Sequence, residues 1–115
     1  PYAINVSALL EKAGAVGVAI ELNADPHRLD LDWRHLREAH ARGARIEIGP
    51  DAHSVAGLDH VALGVGVARK GWLSRADVLN AGDADDVIAF ANARRHGASA
   101  TARSTTTSTG FTHAG

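Results

Sequence analysis

Four stretches of the chain place apolar residues with a helical period, and two place them with a period of two. Val6, Leu9, Leu10 and Ala13 recur at i, i+3, i+4 and i+7 behind Asn5, whose side chain can accept from free first-turn amides, and Gly14 offers a left-handed stop. Residues 16–23 alternate instead: Val16, Val18, Ile20 and Leu22 are bulky, whereas Gly17, Ala19, Glu21 and Asn23 are small and then polar. That pattern predicts a strand whose even face packs on helices and whose odd face opens, at Glu21 and Asn23, onto a barrel interior or cleft. Asp25-Pro26 breaks it. Asp30 or Asp32 then caps a helix to about Arg42 with Trp33, Leu36 and Ala39 inward and Gly43 as its stop. Residues 45–49 form a second strand of the same parity, so strand, helix and strand make one βαβ unit.

Beyond it, Leu58, Val61, Ala62, Val65 and Ala68 give another helical stripe, interrupted by Gly64 and Gly66 and ending near Arg69 and Lys70. Ser74 and Asp77 read as a capping box opening a short helix to about Asn80. Asp83 caps a last helix, with Val87, Ile88 and Ala91 inward and Gly97 ending it. From Ala98 the periodicity stops and half of the residues are Ser or Thr, a composition that buries too little apolar area to offset its ordering entropy. The expected division is therefore an ordered α/β portion over 1–97 and a disordered tail over 98–115.

The polar positions at the end of the second strand carry the candidate chemistry. In Ile46-Glu47-Ile48-Gly49-Pro50-Asp51-Ala52-His53, the odd residues Glu47, Asp51 and His53 share one side if the chain stays extended. Asp51 and His53 would then aim a carboxylate and an imidazole at one point, at the strand end where β/α enzymes keep their sites. The plainer reading gives Asp51 a turn to cap and leaves His53 in the loop. A catalytic zinc takes three protein ligands and a two-metal phosphoesterase site takes more, so this pair is only part of a site. His60 could complete a mononuclear centre with His53 and a carboxylate. His27, in the loop after the first strand, can reach the same mouth, and Arg28 beside it can grip a phosphate through its planar fork. Glu21 and Asn23 join the list by parity. Against these, Glu21 can pair with an interior cation, Asn23 can cap its loop, and Arg28 can bridge to Asp30 or Asp32. His35 and His40, five apart, do not share a helix face and are expected in solvent.

Composition narrows the class. A formal charge of −1 supplies no global field toward nucleic acid or membranes, though a local basic patch is compatible with it. No cysteine is present, which removes disulfides, thiolate ligands and a cysteine nucleophile and is compatible with the cytoplasm. The longest apolar run, Ala13 to Ile20, contains two glycines and is far too short to span a bilayer, and no signal peptide is visible. There is no Gly-rich phosphate loop, no Gly-x-Ser-x-Gly and no His-Glu-x-x-His.

Three stretches, in order and at these spacings, resemble the end of a PHP (polymerase and histidinol phosphatase) domain, most of all that of bacterial family X DNA polymerases. They are Ile20-Glu-Leu-Asn-Ala-Asp-Pro-His-Arg-Leu-Asp-Leu31, Asp51-Ala-His-Ser54 and Gly64-Val-Gly-Val-Ala-Arg-Lys-Gly-Trp-Leu73. The resemblance runs over roughly residues 4–95. It implies the last strands and helices of a distorted seven-stranded (β/α) barrel with up to three divalent metals, manganese or zinc, at its mouth. It implies phosphoester hydrolysis by the complete domain, as a 3′–5′ exonuclease or DNA-end phosphoesterase acting on DNA 3′ ends, or on a small phosphoester in histidinol phosphatase-like relatives. The family's last metal motif, Asp-x-His, falls on Asp51 and His53, which makes these the implied metal ligands of the catalytic centre; the earlier His-x-His, further histidines and a Glu have no counterpart here. Pro50 stands where a small polar residue is usual. The chain, which starts at Pro1-Tyr2 without Met, thus reads as the last third or so of such a domain. It would be inactive alone, lack its N-terminal partner segment, and risk self-association through open barrel edges. A non-catalytic, truncated β/α module is the competing reading.

Overall fold

Leu10, Leu22, Leu36 and Ile46, one from each of the first four elements, are the largest fully buried side chains and mark where those elements meet. The computed structural model describes residues 3–106, with side chains placed through His96. The order is α1 (Val6–Val16), β1 (Ala19–Asn23), α2 (Trp33–Ala41), β2 (Arg45–Gly49), α3 (Val61–Lys70) and α4 (Ala84–Thr106), with 3-10 turns at Ala56–His60, Arg75–Asp77 and Leu79–Ala81. This is a mixed α/β chain.

β1 and β2 pair in parallel, Ala19 with Arg45 through Asn23 with Gly49, so Glu21 lies directly beside Glu47. The even residues Leu22, Ile46 and Ile48 are buried and Ile20 half-buried, in one cluster with Leu10 and Ala13 of α1, Leu36 and Ala39 of α2, and Ala68 of α3. The expected parity holds from Val18 onward, but the strand starts at Ala19, and Val16, expected on its bulky face, ends α1 and is exposed. A rudimentary third position follows β2 on its other edge, where Val78 bridges Ile46 in parallel. There the Asn80 side chain substitutes for a strand: its Oδ1 accepts from Ile48 N–H at 3.0 Å and its Nδ2 donates to Ile48 C=O at 2.8 Å.

Local caps follow the sequence closely. Asn5 accepts from the Ala8 amide at 3.0 Å, and Asp32, of the two candidates, caps α2 by accepting from Arg34 N–H at 2.9 Å. Ser74 and Asp77 form the expected capping box, although it opens a 3-10 turn and not a longer helix. Asp83 and Asp86 exchange backbone-to-carboxylate bonds at 3.0 Å in front of α4.

Four expectations are corrected. α1 does not stop at Gly14 but runs to Val16 and ends on Gly17, whose φ of 69° forms the left-handed cap. Gly14 has a different task, since a Cβ there would collide with the Arg42 carbonyl oxygen. The bulky stripe predicted for α3 faces outward: Leu58, Val61 and Val65 are exposed, while Gly64 and Ala68 are buried. The reason is distance, because a Cβ on Gly64 would lie 2.6 Å from Ile48 Cγ2 and 2.9 Å from Ala24 Cβ. α3 reaches β2 through its small residues. In α4, Val87 and Ile88 are exposed and Phe90 is the half-buried residue, facing the Arg45 guanidinium at 5.8 Å. Finally, α4 continues past Gly97 to Thr106. One helix glycine costs about 1 kcal/mol, and the alanines that follow favour continuation. Residues 107–115 of the expected tail lie outside the described residues. The described helices include none long and apolar enough to cross a membrane.

Candidate functional site

The C-terminal ends of β1 and β2 are tied together by one side chain. Asn23 is 4% exposed. Its Oδ1 accepts from Asp25 N–H at 3.0 Å, closing a turn after β1, and its Nδ2 donates to Asp51 Oδ2 at 3.2 Å in the loop after β2. Pairing extends one step beyond the strands, with Ala24 N–H donating to the Gly49 carbonyl at 2.7 Å. Asn23 therefore caps its own loop and holds the neighbouring carboxylate.

Past Gly49 the chain is no longer extended. Asp51 adopts φ 50°, a left-handed conformation that Asp tolerates better than most residues because its short side chain can bond locally. The alternation that placed Asp51 and His53 on one side therefore ends before it reaches them. His53 folds back, and its Nδ1 lies 2.7 Å from the Asp51 backbone oxygen. A carbonyl only accepts, so Nδ1 is the donor in this contact, and Nε2 is the ring nitrogen that neutral imidazole offers to a metal. The ring itself is exposed.

Arg28 extends over this loop, 3.5 Å from Asp51 Oδ2 and 4.0 Å from Asp30. Asn23, Arg28 and Asp51 thus form one contact group. His27 does not join it: its side chain is 92% exposed and its Nδ1 is held by Asp25 Oδ1 at 3.0 Å. Glu21 is exposed and leans over Gly49, where an added Cβ would meet its Oε1 at 2.7 Å and Glu47 Oε1 at 3.5 Å. His40 is in solvent as expected but bonded to Asp77 at 2.7 Å, whereas His35 is half-buried.

Asp25 was legible only as a strand breaker, yet it belongs to this mouth. It follows Asn23 by two residues, and its backbone N–H donates to Asn23 Oδ1, the side chain that also holds Asp51. The Asn-x-Asp spacing of an Asx turn directly after a strand is the signal that could have found it. The His27 backbone amide, 2.7 Å from Oδ1, lowers the Asp25 pKa below 3.8 against a partial burial, with smaller help from the His27 ring and from His60. His60 is half-buried and its Nδ1 is enclosed without a hydrogen-bond partner. Among the described residues no three His, Asp or Glu side chains gather as a metal group, which leaves the mononuclear arrangement of His53, His60 and a carboxylate without support.

The two glutamates of the odd face repel. Burial first, and the Glu21 charge second, raise the Glu47 pKa above its ordinary 4.5. The folded state holds this proton more tightly than the unfolded chain, so folding is favoured while Glu47 is protonated and loses stability as pH rises through the folded value. Glu47→Gln keeps the oxygen that accepts from Asn80 Nδ2 at 3.2 Å and removes the charge. The variant is expected to resist urea better than the parent at neutral pH and to match it well below pH 4.5. An equal gain at both extremes would mean that charge is not the cause.

No protein-family model matches the chain. Over 89 residues, 77% of its length, it is 45% identical to a Bacillus subtilis (strain 168) protein named DNA polymerase/3′-5′ exonuclease PolX. The match spans 16% of that relative's length. The chain is thus similar, over most of its own length, to a small part of a protein whose name joins DNA synthesis with 3′-5′ exonuclease activity.

Proposed function

We propose that this chain is part of a PHP-type, metal-dependent phosphoesterase unit of a family X DNA polymerase, and that the whole protein trims DNA 3′ ends. The observation that carries this reading is the 45% identity to the protein named as a polymerase and 3′-5′ exonuclease. The two parallel strands, with bulky faces toward helices and polar faces toward a shared mouth, suit the closing segment of a (β/α) barrel. Asp51 and His53 are the proposed ligands for manganese or zinc. The described residues alone gather no third donor and do not fit a metal, so this reading requires further ligands from outside them. When bound, divalent metals activate water and stabilise charge on phosphoryl oxygens. This chain's own work is positional. Asn23 orients the Asp51 carboxylate, the Asp51 carbonyl holds His53 Nδ1, and Arg28 offers donors to a phosphate oxygen.

The test uses the longer protein that carries this segment. Asp51→Ala and His53→Ala should each lower phosphodiester hydrolysis by at least about 100-fold and reduce bound metal measured by elemental analysis. The 115-residue chain alone should neither retain two metals through dialysis nor hydrolyse a phosphodiester. A His53→Ala protein with full metal content and activity would refute the ligand assignment. A parent protein devoid of metal and activity would favour the non-catalytic module.

A further inference from the structure

The opposite end of the strands carries a second cluster of charge. Arg45 opens β2, and with Arg75, Val78, Asp86 and Phe90 it lines a cleft of about 620 Å³. A neighbouring cleft of about 540 Å³ shares Phe90 and is lined by Ala19, Arg94 and Arg95. Four arginines thus line two clefts that meet at Phe90, with the Arg45 guanidinium 5.8 Å from its ring. Arg28, Arg34 and Arg42 all have carboxylate partners, but none of these four forms an ion pair among the described residues. The acid that lines the first cleft, Asp86, is engaged by the Asp83 amide at 3.0 Å. Arg45 Nε is also buried without any hydrogen-bond partner. A buried, unsatisfied guanidinium donor is costly, and native sites rarely leave one without an acceptor.

From these observations we infer that the Phe90 clefts form an anion site for phosphate groups, with Arg45 and Arg75 gripping one phosphate and Arg94 and Arg95 able to hold a second. Guanidinium forks match phosphate oxygens with paired bonds, and the half-buried Phe90 wall lowers local screening. A site with two phosphate positions fits either a free nucleotide or the backbone of a single nucleic-acid strand. It is separate from the Asp51 mouth by the length of β2, roughly 15 Å for five residues. It does not rest on the phosphoesterase reading.

The test is titration of the 115-residue chain with inorganic phosphate, a nucleoside monophosphate and a short oligothymidylate. Amide NMR shifts and fluorescence anisotropy report binding. Shifts are expected at Ala19, Arg45, Val78 and Phe90. Arg45→Lys, which keeps the charge and loses Nε–H, and Arg94→Gln should each weaken binding about tenfold with unchanged circular dichroism. Arg69→Gln, exposed on α3, should bind like the parent. Stronger, salt-dependent binding of the oligonucleotide identifies a nucleic-acid backbone as the source, and equal binding of the mononucleotide identifies a small ligand. Absent shifts at these residues, or equal weakening by Arg69→Gln, overturns the site.

Discussion

Asn23→Leu is expected to cost about 3 kcal/mol of folding stability and to release the Asp51 loop. The two side chains are nearly isosteric, so the core keeps its volume and the loss is one of hydrogen bonding. The Asp51 carboxylate loses a donor at 3.2 Å, and the Asp25 amide loses its acceptor at 3.0 Å beside a residue that is 4% exposed. A bond to a charged group contributes about 1.5–3 kcal/mol, and an amide left without an acceptor costs about 1–3 kcal/mol. Small domains hold only about 5–15 kcal/mol in total, so this one contact is a large share. Asn23→Asp separates the two roles. It keeps the acceptor for Asp25 but sets a second carboxylate against Asp51, and repulsion raises the pair's folded pKa values. Its stability should therefore fall as pH rises through those values and recover on acidification, whereas the leucine variant should stay weak throughout. Urea midpoints across pH measure both. A leucine variant within about 0.5 kcal/mol of the parent would show that water replaces the clamp.

Which parts of this arrangement could be seen in the sequence follows from the range of the forces involved. The caps at Asn5, Asp32, Ser74 and Asp77 are bonds between residues two or three apart, so short sequence windows contain all of their physics. Strand parity was readable for the same reason, and it put the polar odd residues of both strands on one face, while only the register sets Glu21 beside Glu47. It failed beyond Gly49, where the left-handed turn at Asp51 breaks a rule that assumes extended chain. α3 shows a second limit. Hydrophobic period marks the bulky side of a helix, but β2 lies so close that only Gly64 and Ala68 fit against it. The stripe of Leu58, Val61 and Val65 was real and is exposed. The Asn23–Asp51 bond spans 28 positions and no local pattern encodes it. The candidate site was thus visible as a set of residue types at a strand end, while the contacts that orient it came from two loops meeting in space.

Gly14→Ala gives the second large effect, and its sign is opposite to the one helix propensity predicts. Alanine is favoured over glycine inside a helix by about 1 kcal/mol, and Gly14 lies inside α1. A Cβ at that position, however, would collide with the Arg42 carbonyl oxygen and lie 3.3 Å from Ala44 N. Both are backbone atoms of the turn between α2 and β2, fixed by the Arg42, Gly43 and Ala44 amides donating to Glu38, His40 and Ala39. No flexible side chain is available to move aside. Relief requires α1 to tilt away from the turn, which loosens the contact of Leu10 and Ala13 with Ala44 and Ile46 in the shared core. Overpacking of this kind costs about 1–3 kcal/mol and often more when backbone must yield, which outweighs the propensity gain. The variant is expected to unfold at lower urea than the parent while its helical circular dichroism at low denaturant stays the same or rises slightly. Gly66→Ala is the matched control, because that glycine is in α3 with nothing within 4 Å of an added Cβ, and it should stabilise. If both substitutions stabilise, α1 does not approach the turn as closely as the collision requires.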